Sequence, residues 1–269
     1  GTVNIGFVWD SEKSDKIFKA LFGAPSSASN VDTYPASSTK PFGASSGGVA
    51  VSPSSPLSIT TQIHQVISHV VGSTTNTLLN RTLKGCIVQS LGLSTSIGEV
   101  LNATVDMAFA REDTTSVEAS SGFVAQTAAG KDQATTPYTF AHGVLKTSTG
   151  GDAIAEIAEV QDVDITMATN AELLWGLGDH HAKSVFRKIF DVTGRFRTSL
   201  KNGDMIQAVI DQARVAGTEG MNAADVSLEL KFEDVGIGKS LTIELGGVSI
   251  TDHSTSGIEP AEPIFEEVN

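Results

Sequence analysis

The alternation of apolar and polar residues near the middle of the chain constrains its fold most. In two segments within Glu156–Leu200, every second residue is apolar, and a period of two places such side chains on one face of an extended strand. Both segments are therefore predicted to be half-buried strands. Asn170–Gly178 separates them and carries an apolar group in an otherwise polar connection, so we expect this group to need a partner surface. The alternating residues are Val163, Ile165 and Met167, and then Phe190, Val192, Phe196 and Leu200.

Similar alternation recurs along the chain and predicts a mainly β protein, either an antiparallel β-sandwich or an open β-barrel. Leu57–Val71 fits both helical and strand periods, but its β-branched residues favour a strand. Such a fold has exposed strand edges, and subunits that close their sheets into a shared ring would pair those edges. The other predicted strands are Val3–Trp9, Gly85–Leu93, Leu101–Ala110, Phe123–Thr127, Tyr138–Lys146, Val226–Phe232 and Leu241–Leu245, the last followed by a turn or bulge at Gly246–Gly247.

Two amphipathic helices are predicted beside the strands. The first lies within Ser11–Phe22, where Ile17, Phe18 and Leu21 share one helical face. The second covers residues 204–216, begins at the N-cap residue Asp204 and packs on the sheet. Its apolar positions Ile206, Val209, Ile210 and Ala213 follow helical spacing, and Gly217 ends it.

The segment Ala24–Pro56 differs from the rest because Ser, Ala, Gly and Pro dominate it. Its composition fits a free linker, whereas Tyr34 and Phe42 would anchor an extended arm on a neighbouring surface, and both interpretations stay open. The predicted organisation is an N-terminal strand, helix and arm over residues 1–56, a β domain over 57–252, and an acidic tail over 253–269.

The acidic charge of the chain limits its partners. With 31 acidic and 18 basic residues, the net charge is −13, which disfavours a nucleic-acid-binding regulator. An acidic conduit through which DNA slides without adhering is compatible with this charge, as is an ordinary soluble or salt-adapted protein. Six basic residues cluster within nineteen positions. This cluster has three interpretations: a nucleic-acid patch, a contact with an acidic face of another copy, or pairing within the chain. They are Lys183, Arg187, Lys188, Arg195, Arg197 and Lys201.

No catalytic, cofactor or metal site is predicted, so the chain is not expected to be an enzyme. It contains neither G-x-S-x-G nor a phosphate-binding glycine motif. Asp179, His180 and His181 lack the spacing of a zinc set and fit a solvated loop, and Asp162 with Asp164 fits a solvated strand face. Cys86 is predicted to be a small buried hydrophobe. No stretch is long enough for a transmembrane helix or has the pattern of a signal peptide.

The order of elements in the central stretch resembles the tail tube proteins of long-tailed bacterial and archaeal viruses. A strand with alternating acids is followed by an Asn-containing corner, then LLWGLG, a charged linker, FDVTGRFRTSL and a helix. The V-T-G core recurrent in that family is Val192, Thr193 and Gly194, and the resemblance extends over about Leu57–Ile250.

The resemblance implies a structural virion protein whose hexameric rings stack into a hollow tube that conducts double-stranded DNA without binding it specifically. Each subunit would add strands to an inner barrel, and loops and arms would hold the rings together. Other copies, the tape-measure protein and the terminator or baseplate proteins are the implied partners; no membrane is involved, and assembly takes place in the host cytoplasm. The candidate inter-subunit contacts are Leu173, Leu174, Trp175, Leu177, Arg195, Arg197, Tyr34 and Phe42.

A surface-displayed or secreted β-sandwich that acts as an adhesin or carbohydrate-binding module is the alternative. Such modules expose aromatic side chains on which sugars stack. The chain has only two Trp and two Tyr, and Trp175 lies in an apolar cluster of the sequence, which disfavours this alternative.

Overall fold

The computed structural model describes most of the strand-forming chain. The helix predicted over residues 204–216, the strand predicted over Phe123–Thr127, the arm residues Tyr34 and Phe42, and the Asp179, His180 and His181 group lie outside the described residues. The described ranges are 1–9, 14–22, 26–28, 31–33, 59–69, 76–118, 137–148, 155–156, 160–178, 182–186, 188, 190–199, 226–236, 238–255 and 265–269.

Strands dominate these residues, and their pairings are antiparallel, as the sequence predicts. One helix, α1 (Ser14–Phe22), and a short 3-10 turn, Phe140–His142, accompany them. The strands are β1 (Thr2–Val8), β2 (Ser26–Ala28), β3 (Val31–Thr33), β4 (Ile59–His69), β5 (Asn76–Ser96), β6 (Asn102–Ala108), β7 (Arg111–Glu118), β8 (Gly143–Ser148), β9 (Ala155–Glu156), β10 (Val160–Ala168), β11 (Glu172–Trp175), β12 (Ala182–Phe186), β13 (Asp191–Ser199), β14 (Val226–Asp234), β15 (Lys239–Val248), β16 (His253–Thr255) and β17 (Phe265–Val268).

The main sheet has the order β1-β6-β5-β10-β13-β17-β16. Strands from both ends of the chain thus join the strands of its middle. Only the second half of the 21-residue β5 lies between β6 and β10, because its first half pairs with β4 and β7. We call the three-stranded part formed by β4, the first half of β5 and β7 the extension. A second sheet has the order β15-β14-β8-β9.

The main sheet buries one face against the second sheet and α1, which makes the described fold a two-layer β-sandwich. Val163, Ile165 and Met167 of β10 are buried there, as their period of two predicts. Leu230 and Phe232 of the second sheet belong to the same apolar core. Burying each such side chain contributes about 1.5–3 kcal/mol to folding, so the alternation selects which face of the sheet turns inward.

A chain of aromatic rings fixes α1 on the buried face. Trp9 lies 5.2 Å from Phe18, ring centroid to ring centroid, and Phe18 lies 5.9 Å from Phe22. Phe22 meets Phe190, just before β13, at 5.3 Å. The helical spacing of Phe18 and Phe22 therefore connects opposite ends of the main sheet.

Two local predictions had different outcomes. The bulge at Gly246–Gly247 is confirmed, because the β14–β15 register shifts there and Gly247 has a φ of +67°. The strand predicted from Tyr138 begins later, at Gly143, which is a correction. A 3-10 turn replaces its first part, since the Thr139 backbone N–H donates to Nδ1 of His142.

Candidate assembly surfaces

The strands β11 and β12 form a separate two-stranded hairpin where β10 gives way to β13. Asn170, with a φ of +48°, turns the chain out of β10, and its side chain donates to the Asp191 carboxylate at 2.7 Å. Thr169 donates through Oγ1 to the Val88 carbonyl at 3.0 Å. The polar corner therefore holds the hairpin's base against β5 and β13 while the hairpin itself leaves the main sheet.

The hairpin exposes large apolar side chains. Leu174 is 47% exposed, Trp175 55% and Phe186 54%, and Leu177 is fully exposed in the connecting turn. Leu173, which shares a face of β11 with Trp175, is half-buried. Exposed apolar groups of this size are typical of contact sites, and the partner surface itself stays a prediction. The exposure also weakens the argument against a carbohydrate-binding module, because Trp175 is exposed although it lies among apolar residues of the sequence.

The opposite surface of the main sheet, which we call the polar face, has different chemistry. Its side chains alternate with those of the core and are almost all small, hydroxylated or charged. From β1 to β17 they are Thr2, Asn4, Gly6, Val8, Asn102, Thr104, Asp106, Ser90, Gly92, Ser94, Ser96, Asp162, Asp164, Thr166, Ala168, Asp191, Thr193, Arg195, Arg197, Ser199 and Glu267.

Charges on the polar face are placed opposite one another across neighbouring strands. Asp164 is aligned with Arg195, and Asp162 with Arg197, in the β10–β13 register. Arg195 also forms an ion pair of 3.6 Å with Glu267 of β17. Of the three interpretations of the basic cluster, pairing within the chain thus describes Arg195; a role of Arg195 and Arg197 between subunits stays a prediction.

Polar hydrogen bonds continue toward β1 at the other side of this face. Asp106 accepts from the Ser90 hydroxyl at 2.7 Å and from the Asn4 amide at 2.6 Å. The carboxylate thereby links three strands, β1, β6 and β5, across the surface. The five carboxylates of the polar face outnumber its two guanidinium groups, giving a formal charge of −3.

Both sides of the main sheet end in open edges within the described residues. β1 pairs only with β6, and β16 pairs only with β17. The Trp9 N–H donates to the Leu101 carbonyl, so the N–H groups of odd-numbered residues in β1 point toward β6. The N–H groups of even-numbered residues, Gly6 among them, point away from β6 and out of the sheet. Unpaired backbone groups of this kind are a template for another strand.

Ion pairs reinforce the base of the extension. Arg81 donates to Glu112 at 2.6 and 3.1 Å, and Asp113 pairs with Lys84 and Arg111, each at 2.6 Å. The hydrogen bond from Arg81 lowers the pKa of Glu112, and those from Lys84 and then Arg111 lower the pKa of Asp113. The pairs of Arg81 with Glu112 and of Lys84 with Asp113 connect β5 to β7, whereas Arg111 and Asp113 both lie on β7.

The other residues examined for chemistry have structural surroundings. Cys86 is fully buried, and its thiol donates to the Leu83 carbonyl at 3.3 Å, which confirms it as a core residue. Within the described part of the chain, no group of three or more His, Cys, Asp or Glu side chains is placed to hold a metal ion. No helix in that part is long and apolar enough to cross a membrane.

Sequence reasoning missed β12 and Phe186, because the segment AKSVFRK was interpreted as a charged linker. The available signal was Val185, which is aligned with Leu173 across the hairpin. Three further exposed apolar residues were also missed: Ile97 and Val235 stand alone in the sequence, and Val8 lies between the apolar residues Phe7 and Trp9 of a predicted strand.

The fold defines a class of protein, an antiparallel β-sandwich, and its open sheet edges, polar face and exposed apolar hairpin are typical of sandwiches that assemble from several subunits. The sequence matches the family model described as phage tail tube protein over residues 1–266, and the chain therefore belongs to that family. It is a structural component of a viral tail. No curated protein matches the sequence.

Proposed function

We propose that this chain is the major tail tube subunit, and that six copies close their main sheets edge to edge into a ring. Rings stack into a hollow tube, with the polar face of each subunit turned toward the lumen. The observation that carries the proposal is the combination of two open edges with one face whose side chains, as far as the structure describes them, include almost no large apolar group. Edge pairing would satisfy the outward backbone groups of β1.

The polar face suits the passage of double-stranded DNA. A net negative surface repels phosphate groups, and the arginines at positions 195 and 197 face aspartates across the strands, which limits their attraction for DNA. Small hydroxylated side chains offer few stacking or apolar contacts. The chain thus acts as a passive conduit and is not an enzyme.

The remaining assignments follow from the family and the predicted contacts. The tube would be built in the host cytoplasm, on a tape-measure protein, between baseplate and terminator proteins, and would remain in the virion tail. Leu173, Leu174, Trp175 and Leu177 of the hairpin are proposed inter-subunit contacts, together with Arg195 and Arg197. Tyr34 and Phe42 are proposed to anchor the arm within residues 1–56, the β domain spans 57–252, and the acidic tail spans 253–269.

Negative-stain microscopy of the purified protein, across concentration and salt, tests this function. We expect hollow rings or tubes of uniform width with six-fold end views. Gly6→Pro removes an outward N–H from the β1 edge, whereas Gly6→Ala keeps it, and a Cβ at this position meets nothing nearer than a carbonyl at 4.0 Å. Rings should be lost only in the proline variant.

Circular dichroism and urea unfolding of both variants verify that the monomer fold survives. Rings that form equally well from the proline variant would contradict closure through β1. Wild-type protein that stays monomeric at every concentration would contradict the proposed function, and glycan-binding screens would then test the alternative.

A further inference from the structure

The large apolar side chains that the described residues expose fall into two groups, one on the β11–β12 hairpin and one on turns and strand ends of the two sheets. The hairpin patch consists of Leu174, Trp175, Leu177 and Phe186. The turn patch consists of Val8, Ile97 and Val235, which are 44% to 84% exposed. Apart from Val8, the polar face carries no side chain from either group.

The strand register places the hairpin and Ile97 at opposite ends of the main sheet. Ala168, at the end of β10, is aligned with Ser90 of β5, and the hairpin follows directly after it. Asp162, near the start of β10, is aligned with Ser96, so Ile97 lies at the other end. The separation along the strand from residue 162 to residue 168 is roughly 20 Å.

Backbone and ring contacts gather the turn patch around Leu101. The Trp9 N–H donates to the Leu101 carbonyl at 2.8 Å, which places the neighbouring Val8 there. The Leu101 N–H in turn donates to the Tyr138 carbonyl at 2.7 Å, and the ring of Tyr138 lies 6.1 Å from that of Phe232. β14 ends two residues after Phe232, immediately before Val235.

We propose that the hairpin patch of one copy docks on the turn patch of the next copy along the tube axis. This inference rests on the proposed function, because it assigns the contact between stacked rings. Two different patches that meet head to tail form a heterologous contact, which repeats without closing and builds a filament. A contact between two identical hairpins would pair the copies but leave every turn patch in water.

The chemistry of the two patches supports a second copy as the occupant. Trp175 and Phe186 on a protruding hairpin supply the aromatic anchors that dominate protein interfaces. Val8, Ile97 and Val235 are aliphatic side chains attached to separate turns and strand ends, which offer the matching apolar surface. Lys183 on β12 and Glu99 beside Ile97 carry opposite charges, which favours this orientation.

Two variants remove one patch each and leave the edges that close the ring intact. The hairpin variant combines Trp175→Ser with Leu177→Ser, and the turn variant combines Ile97→Ser with Val235→Ser. Thr104→Ser, on the polar face between the patches, is the matched control. Because all four apolar side chains are exposed in the subunit, circular dichroism and urea unfolding should resemble those of the wild type.

Sedimentation and negative-stain microscopy then measure stacking of each variant alone and of their mixture. We expect each variant alone to form single rings, with at least a tenfold loss of stacked particles, and the control to form tubes. In the mixture, the intact hairpin patch of one variant can meet the intact turn patch of the other, so stacks of two rings should appear.

Three results would overturn the inference: stacking of either variant at the wild-type level, loss of stacking in the hairpin variant alone, or a mixture that remains as single rings. The second result would indicate hairpin-to-hairpin contact or a different partner for the hairpin. Failure of the proposed function has a separate signature, since the wild type would then form no rings.

Discussion

The polar face and the hairpin are both directed toward solvent in the subunit, yet their chemistry is opposite. The polar face carries hydroxyls and facing charges such as Asp164 and Arg195, whereas the hairpin carries Leu174, Trp175 and Leu177. A surface that needs no partner has no reason to expose aromatic side chains, and one that must release its cargo has no reason to display them. The contrast is the one that the proposed function requires, in which one surface would avoid adhesion and the other would provide it.

The largest expected effect distinguishes the polar face from the core face of the same strand. Leu91→Ala on β5 removes a fully buried side chain and should lower the free energy of unfolding by about 2–5 kcal/mol. Ser94→Ala, three residues away on the polar face, should change it by less than about 0.5 kcal/mol. Urea unfolding measures both. Equal losses of unfolding free energy in the two variants would show that the polar face also contributes packing energy and does not differ from the core face in this respect.

Acid should loosen the extension before the main sheet. The folded pKa values of Glu112 and Asp113 lie below the usual 4.5 and 3.8. The charged carboxylates therefore stabilise the extension at pH values above these usual pKa values. Their contribution is lost as the pH falls through the lowered folded values. Hydrogen exchange of β7 and of the first half of β5, corrected for the intrinsic rate and compared between pH 7 and pH 3, measures the loss.

A variant that combines Glu112→Gln with Asp113→Asn is the control for this acid effect, and its exchange should depend less on pH. Uniform loss of protection across the extension and the main sheet would assign the acid sensitivity to other carboxylates.

The hairpin should contribute little to the stability of the isolated subunit. Trp175→Ser removes a side chain that is half exposed, so the free energy of unfolding of the monomer should fall by less than about 1 kcal/mol. Urea unfolding at concentrations below assembly measures this. A loss comparable to that of Leu91→Ala would mean that the tryptophan packs within its own subunit and would remove the basis for docking between copies.

The smallest expected effect concerns ion pairs on the polar face. Arg195 and Glu267 are both substantially exposed, so a double-mutant cycle with Arg195→Ala and Glu267→Ala should give a coupling energy below about 0.5 kcal/mol. The pair would then set the charge of the surface and not its stability. A coupling above 1 kcal/mol would instead make the polar face a structural element of the sandwich.

The sequence predicted the parts of the fold that depend on side-chain period. Val163, Ile165 and Met167 are buried together because a strand turns every second residue to the same side, and the bulge at Gly246–Gly247 follows from a change of parity. The period could not locate the start of β8, because the capping interaction between Thr139 and His142 is a local hydrogen bond between polar residues. It also missed β12, whose apolar residues are too few for a pattern.

By itself, the sequence determined the sandwich, the family resemblance through LLWGLG and the V-T-G strand, and the presence of an apolar group between two strands. Only the tertiary structure decided which residues share a surface. Register brought Asp162 opposite Arg197, and backbone hydrogen bonds brought Trp9 and Tyr138, which are distant in sequence, to Leu101. The physical reason is that periodicity constrains one strand at a time, whereas surface chemistry depends on contacts between strands that are far apart in the chain.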